Sequence, residues 1–417
     1  MFKAAVTAVC VFAAVPLGAS GFVIDQTARA SGVAGAYVAQ TNDATAVFYN
    51  PGALGILTKK KGVAVGAATS SYRSYNFQGR SPGIAAGTIG EQSTSLDVVP
   101  SAFLSAPFKG PLVFGLGAYY SMRMNSEWQD PETFAGRFLA TKSNVEAYDI
   151  APTFGLALSP TFGIGGGAVY RTAKVTLERN LSSTVGGTTY DIASQTIESD
   201  TQSKTGWQAG MAWRPSNAFM LGLSYRSAIS VEFEGAGTLT QIQTTDAQLN
   251  ELVRATFPFD QNLAVLSQIR TPAQWNAGIA FAAGEPLLFE IDVNRTEWHT
   301  MEQMVFIFPN NPSLTSAYPL DLDDTLDYRA GMRFTFPTGP VIRLGYSIEN
   351  SPQPDETLSP FYAAMAKNTI TAGVGLDWLD VAVGWSTFDE RSVTTSVNQF
   401  NGNYSGNQWT VVVTATK

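Results

Sequence analysis

The sequence predicts an all-β fold: a 14-stranded antiparallel transmembrane β-barrel with an N-terminal plug, or hatch, of short helices in its lumen. Three observations carry this. Apolar and polar residues alternate with a period of two through most of the 417 residues. The connections between alternating segments are short and long in strict turn. Only 14% of residues are charged, against a usual value of about 25%, while mean hydropathy is +0.01. A wall with one face in lipid and one in water averages to such a composition.

The same counts exclude other classes. A chain that is 45% hydrophobic is not intrinsically disordered. One Cys rules out a disulfide scaffold, and one Cys with one His leaves no Cys/His zinc site. With 26 basic and 34 acidic residues the net charge is −8, which argues against a nucleic-acid partner. No cofactor and no metal are expected.

Residues 1–20 read as a secretory signal peptide. Met1-Phe2-Lys3 is a basic start, Ala4 to Val15 a short apolar run, and Pro16 to Ser20 a small-residue end. The run is short for a membrane span, and cleavage is expected near Ala19 or Ser20. A buried N-terminal helix is the alternative. A lipoprotein anchor at Cys10 would need an apolar region far too short. Cleavage removes Cys10 and Lys3, leaving no cysteine and a balance of 25 − 34 = −9.

The rest of the chain contains no run of 18 apolar residues, so no transmembrane helix is expected. Fourteen alternating segments are expected instead: 61–73, 95–107, 111–122, 145–158, 161–179, 202–214, 218–234, 270–283, 286–301, 324–336, 340–350, 366–377, 379–390 and 405–416. In the tenth, Tyr328, Ala330, Met332, Phe334 and Phe336 oppose Arg329, Gly331, Arg333 and Thr335. In the ninth, Phe289 and Ile291 oppose Glu290 and Asp292; in the eleventh, Ile342, Leu344 and Tyr346 oppose Arg343 and Gly345. Several segments reach about ten residues, the length a tilted strand needs to cross a bilayer.

Short turns fall at 108–110, 159–160, 214–217, 284–286, 337–340 and Trp378. Long connections fall at 74–94, 123–144, 180–201, 235–269, 302–323, 351–365 and 391–404. An up-and-down barrel in an outer membrane has this alternation, with short turns inside and long loops outside. An even strand number puts both termini on the short-turn side. In lipid every backbone group must pair within the protein, so the sheet has to close. A large soluble sandwich or propeller is the alternative, but the sequence has no blade-length repeat.

Residues 21–60 do not alternate. They read as short helices inside the lumen, enough chain to occlude an interior that would otherwise hold water. The expected organisation is signal peptide 1–20, hatch 21–60 and barrel 61–417.

Residues 21–54, GFVIDQTARASGVAGAYVAQTNDATAVFYNPGAL, resemble the hatch of the FadL-type outer-membrane transporters of long-chain fatty acids and aromatic hydrocarbons. Gly21-Phe22 stands at the mature start. The family's Asn-Pro-Ala motif reads Asn50-Pro51-Gly52 here, departing at its third position. Further matches in order are 99–103, 114–119, Trp213-Arg214-Pro215, 222–227, Asp292 to Trp298, 343–346 and Ser351-Pro352, so the resemblance covers nearly the whole mature chain. Members usually end on an aromatic residue, whereas this chain ends Val413-Thr414-Ala415-Thr416-Lys417.

The resemblance implies a monomeric outer-membrane protein that passively imports hydrophobic small molecules. Outer loops capture them, a lumen pocket receives them, the hatch shifts, and release is sideways through a kinked strand or onward to the periplasm. Gly21, Phe22, Phe48, Asn50, Pro51 and Gly52 are the hatch candidates. Phe134, Phe138 and Leu139 in 130–140, and Leu249, Leu252, Val253, Phe257, Phe259, Leu263 and Leu266 in 246–268, have the spacing of amphipathic helices and are capture candidates. Packing of these loop residues on one another is the plainer reading. Phe306-Ile307-Phe308 is another apolar loop run. Arg226, Arg329, Arg333 and Arg343 face the lumen, where they suit a carboxylate head group or an ion-pair network with acids such as Glu290 and Asp292. A porin or surface-interaction barrel is the second reading.

Enzyme signals are weak. His299 has no G-x-S-x-G partner motif, so a lipase reading has little support. Gly163 to Ala168 mimics a dinucleotide loop, but no helix pattern follows. Asp321, Asp323, Asp324 and Asp327 lack the Gly turn and distal Glu of a calcium loop.

Overall fold

The computed structural model describes residues 25–57, 61–80, 88–92 and 97–417. The expected signal peptide and the hatch candidates Gly21 and Phe22 lie outside these residues.

All fourteen expected strands are present: β1 Gly62–Arg80, β2 Asp97–Pro107, β3 Leu112–Glu127, β4 Lys142–Ser159 and β5 Phe162–Val185. Strands β6 (Thr188–Ser199 and Gln202–Trp213), β7 (Phe219–Arg226 and Ile229–Gln241) and β8 (Leu263–Thr271 and Gln274–Ala283) are each in two pieces. Then follow β9 Leu287–Thr296, β10 Thr325–Thr335, β11 Val341–Glu349, β12 Lys367–Gly375, β13 Leu379–Val393 and β14 Asn401–Thr416. Each pairs antiparallel with the next, and β14 pairs with β1 to close the barrel, from Ala64↔Thr416 to Arg80↔Asn401.

The period of two sorts the side chains as expected. Phe289 and Ile291 are exposed on the outer face of β9, while Glu290 and Asp292 between them are buried. Arg329 and Arg343 are buried between the exposed Tyr328, Ile342 and Leu344. Exposed aromatics form two belts. Trp207, Trp275 and Trp385 lie toward the long loops; Trp213, Phe281 and Trp378 lie toward the short turns. Six or seven residues separate each pair, about 20 Å of strand, so the belts bracket an apolar band as interfacial aromatics do.

Several boundaries differ from expectation, all on the long-loop side. The 180–201 connection is mostly a hairpin that turns at Gly186 and Gly187, both at positive φ (58° and 84°). In 235–269 the strands run on to Gln241 and restart at Leu263, leaving a helix, Ala247–Thr256. Asp246 caps it by accepting from the N–H of Gln248 and Leu249, and it buries Leu249 and Val253. The expected helix in 130–140 is absent: the segment is a run of turns around Phe134, whose ring stacks on Trp128 with centroids 4.4 Å apart. Expected strands 218–234 and 270–283 break at 227–228 and 272–273, the second at Pro272, which has no N–H to donate.

Candidate functional site

The hatch fills the lumen with three short helices: α1 Ala28–Ser31, α2 Ala46–Tyr49 and α3 Pro51–Ile56. They are too short to hold themselves together, so contacts with the wall must position them. Asn50 is the joint. Its Oδ1 accepts from Gly52 N–H (3.0 Å), capping α3, and its Nδ2 donates to the carbonyls of Val38 (2.9 Å) and Met211 (3.0 Å). Pro51 occupies the first helical turn, where its missing N–H costs nothing. Gly52, where the family motif carries Ala, lies against the backbone of Met211 so closely that a Cβ would collide with it. The departure at the third motif position is thus explained by local packing.

The wall grips the hatch backbone by its polar groups. Asp292 Oδ2 accepts from the N–H of Tyr37 (2.8 Å) and Val38 (3.0 Å); Glu290 accepts from Ala39 (2.6 Å) and Gln40 (3.0 Å). Two carboxylates one residue pair apart on β9 thereby hold four consecutive amides. At about 0.5–1.5 kcal/mol for each hydrogen bond, the four together are a principal attachment of the plug. Thr371 Oγ1 accepts from Ala34 N–H (3.0 Å), Thr414 Oγ1 from Ala28 N–H (2.8 Å), and Gln208 Nε2 donates to Val47 O (2.8 Å).

The four lumen arginines all meet the hatch or its attachments. Arg329 donates to Ala34 O (3.1 Å) and pairs with Glu349 (3.5 Å) and Asp25 (3.9 Å). Arg343 pairs with Asp380 (2.8 Å), which also holds Arg29 of the hatch (2.8 Å). Arg333 reaches Gln40 (3.4 Å). Arg226 donates to Phe48 O (3.0 Å) and lies 4.3 Å over the Phe48 ring. An ion-pair network therefore exists, but Glu290 and Asp292, expected as its acids, are spent on hatch amides; Asp25, Glu349 and Asp380 serve instead. Burial pushes the Asp25 carboxyl above the usual carboxylate range, against the lowering pull of Arg329.

Above the hatch lies a cavity of about 80 Å³ whose lining includes Arg329, Glu349, Lys367, Trp298, Tyr362 and Met365. Lys367 pairs with Glu349 at 3.1 Å. Beyond Tyr362 a smaller apolar space of about 10 Å³ lies among Met122, Val145, Met301, Met304 and Phe361.

The loop candidates divide. Phe134 is buried, and Leu139 packs against its cluster. Phe138 is half-buried with the Arg137 guanidinium 4.5 Å over its ring. Phe257 and Phe259 pack on Leu249 and Val253, and Leu263 is buried at the start of β8. Leu252 is 64% exposed, facing away from Leu249 and Val253, so the expected shared face is broken there. Phe306 and Phe308 are buried, whereas Ile307 is exposed. Sequence reasoning missed Thr371, Thr414 and Gln208 as hatch contacts. Their only signal was a polar residue at a lumen-facing position.

His299 faces Asp324, Nδ1 to Oδ1 2.6 Å, and Arg295 pairs with the same carboxylate at 3.0 Å. Burial slightly opposes ionisation of Asp324, but hydrogen bonds from His299 and Arg295 outweigh it and lower its pKa. No serine is hydrogen-bonded to His299 among the described residues. Asp327 accepts from Asn350 N–H (2.9 Å), and no metal-binding cluster occurs among the described residues. Gly163 and Gly165 lie in β5, pressed against Gly52 and Pro51 of the hatch.

A closed barrel with two aromatic belts and a tethered segment filling its lumen is an outer-membrane channel of the plugged class. The chain belongs to the family described as outer membrane protein transport protein (OMPP1/FadL/TodX), whose profile matches residues 10–416. It is thus a non-enzymatic channel of the bacterial outer membrane that transports hydrophobic compounds. Among solved structures, it is similar to a Pseudomonas aeruginosa FadL homologue (18% identity, 95% of this chain and 99% of that one, TM-score 0.76). It is also similar to the P. putida toluene transporter TodX (16%, 95% and 98%, TM-score 0.70) and to the CymD monoaromatic hydrocarbon channel (14%, 95% and 98%, TM-score 0.64). These likenesses establish the fold. A comparison with curated proteins by sequence finds no match.

Proposed function

We propose that the substrate is a long-chain fatty acid, carried passively, and that Arg226 receives its carboxylate. The supporting observation is the state of this side chain. Arg226 stands at the upper surface of the hatch against Phe48 and Tyr119, has no carboxylate partner among the described residues, and has a buried Nε without a hydrogen-bond partner. A carboxylate supplies the missing acceptor in a two-pronged bond. The alkyl chain is driven into the apolar lumen by about 0.8 kcal/mol per buried CH₂. A head group on Arg226 also competes with Phe48 O for the guanidinium, which couples arrival of substrate to loosening of the hatch.

Sideways release has support at β2–β3. Their ladder stops above Ser101↔Tyr119, and β3 carries a bulge at Ser121. Among the described residues, pairing with β3 resumes above this as an isolated bridge, Gln92↔Trp128, ahead of β2 in the chain. Cleavage of residues 1–20, a hatch over 21–60, a barrel over 61–417 and a monomeric state belong to the same reading; a closed wall offers no free strand edge for association. A neutral hydrocarbon is the second reading, favoured by likeness to a toluene transporter and a monoaromatic hydrocarbon channel. Mass spectrometry of molecules that co-purify in mild detergent separates the two. Alkyl carboxylates are expected; aromatic hydrocarbons without carboxylates would overturn the fatty-acid assignment.

A further inference from the structure

The upper halves of β6, β7 and β8 turn a different face to the lumen than their lower halves. On β7, Ser224 and Arg226 point inward below, but Ile229, Val231 and Phe233 are the buried residues above. On β8 the inward set changes from Ala280 to Thr271, Ile269 and Val265, and on β6 from Gln208 to Ser199 and Ile197. The change falls at 227–228 on β7 and at 272–273 on β8, which are level with each other: Arg226↔Gln274 and Ile229↔Thr271 keep one register. On β6 it falls higher, at 200–201.

Between those heights, residues 201–206 of β6 face 228–233 of β7 with their side chains on opposite faces of the sheet. A ladder cannot form across such a mismatch. No backbone hydrogen bond crosses it, and the exposed Lys204–Glu232 ion pair (3.2 Å) spans it through side chains alone; Ser227 N–H to Trp207 O (3.0 Å) and Asp200 N–H to Glu234 O (2.8 Å) mark its ends. The other edge of this ribbon is loose as well. Upper β8 leaves β9 and packs its side chains on a small hairpin, Gln303–Phe306 with Ser316–Pro319, but among the described residues the backbone bridge there is the isolated pair Leu266↔Ile307.

Under that loose edge lies a cavity of about 220 Å³. Ser230, Gln268, Arg270, Thr300 and Gln303 line its polar part; Ile269, Met301, Met304 and Leu320 line its apolar part. The same four apolar residues bound the 10 Å³ space, which adjoins the luminal cavity at Tyr362. The series thus runs from the outer face of the wall to the space above the hatch, closed in the middle by methionines, whose unbranched side chains rearrange readily. Arg270 is exposed and makes no ion pair among the described residues. It stands five residues above Trp275 of the outer belt, about 15 Å of strand, on the water side of the interface that the belt marks.

We propose that this cavity is a side port through which single-chain alkyl carboxylates pass from the water-facing outer side of the wall, above the aromatic belt, to the lumen, with Arg270 meeting the head group and Met301 and Met304 forming the gate. The port rests on the transport reading above. The test uses Gln268→Cys in the mature chain, where the sequence otherwise has no cysteine because Cys10 lies in the leader. Uptake of a labelled long-chain carboxylate into liposomes is measured before and after a bulky maleimide, with treated wild type as the reagent control. At least a five-fold fall on modification is expected. Unchanged uptake after complete modification overturns the port while leaving transport intact, whereas no uptake by the wild type overturns the transport reading itself. Photolabelling of the wild type with a diazirine-bearing carboxylate gives an independent answer. Label in 264–271 and 300–304 is expected, and label confined to 134–139 and 257–263 overturns the port.

Discussion

Deletion of residues 21–60 is expected to raise single-channel conductance on the order of tenfold, because a barrel of this size holds water when nothing fills it. The wall was built around that segment, however: glycines of β5 and β6 leave room for α3, so the deletion tests folding as well as plugging. The double variant Glu290→Ala/Asp292→Ala removes only the acceptors of four hatch amides. Each buried amide left without an acceptor costs about 1–3 kcal/mol, enough over four amides to release the 37–40 loop while the β ladders remain. Frequent openings in planar bilayers, with unchanged far-ultraviolet circular dichroism, are expected. A quiet channel in both variants would mean that residues 21–60 do not control the lumen.

The second large effect is expected at Arg226. Replacing it with Ala removes the charge-assisted contact assigned to the carboxylate, about 1.5–3 kcal/mol, so affinity for a long-chain fatty acid should fall on the order of tenfold to a hundredfold. The methyl ester of the same acid has no such contact to lose and should change little. Arg226→Lys keeps the charge but loses the fork and the broad stacking on Phe48, so it should recover only part of the affinity. Equal losses for acid and ester would instead place Arg226 purely among the hatch attachments, through Phe48 O.

How much of this was legible in the sequence follows from where lipid touches the chain. Between the belts, lipid forces every backbone group into a ladder and every outward side chain to be apolar. The period of two is therefore strong there, and all fourteen strands could be read. Above Trp207 and Trp275 water can satisfy the backbone, so strands persist or break without an apolar signature. The polar hairpin around Gly186-Gly187 read as a loop for that reason, and the face changes in β6, β7 and β8 left no mark beyond Pro272. The lumen arginines were legible because a charge opposite an apolar stripe can only face inward. Their partners were not. Asp292 meets Tyr37 across 255 residues of sequence, a pairing that only closure of the barrel creates. Phe134 and Phe138 kept helical spacing without a helix, because stacking on Trp128 and contact of the Gly136 backbone with Pro360 outweighed local preference.

The central claim is that a plugged barrel passes hydrophobic carboxylates while excluding ordinary solutes. One preparation of wild-type protein in liposomes tests it most directly, by measuring uptake of a labelled long-chain fatty acid alongside efflux of a small trapped hydrophilic dye. Fast fatty-acid uptake above the protein-free rate, with the dye retained, is the predicted result. Rapid dye loss with no gain in fatty-acid uptake would contradict the account and make the protein an open porin.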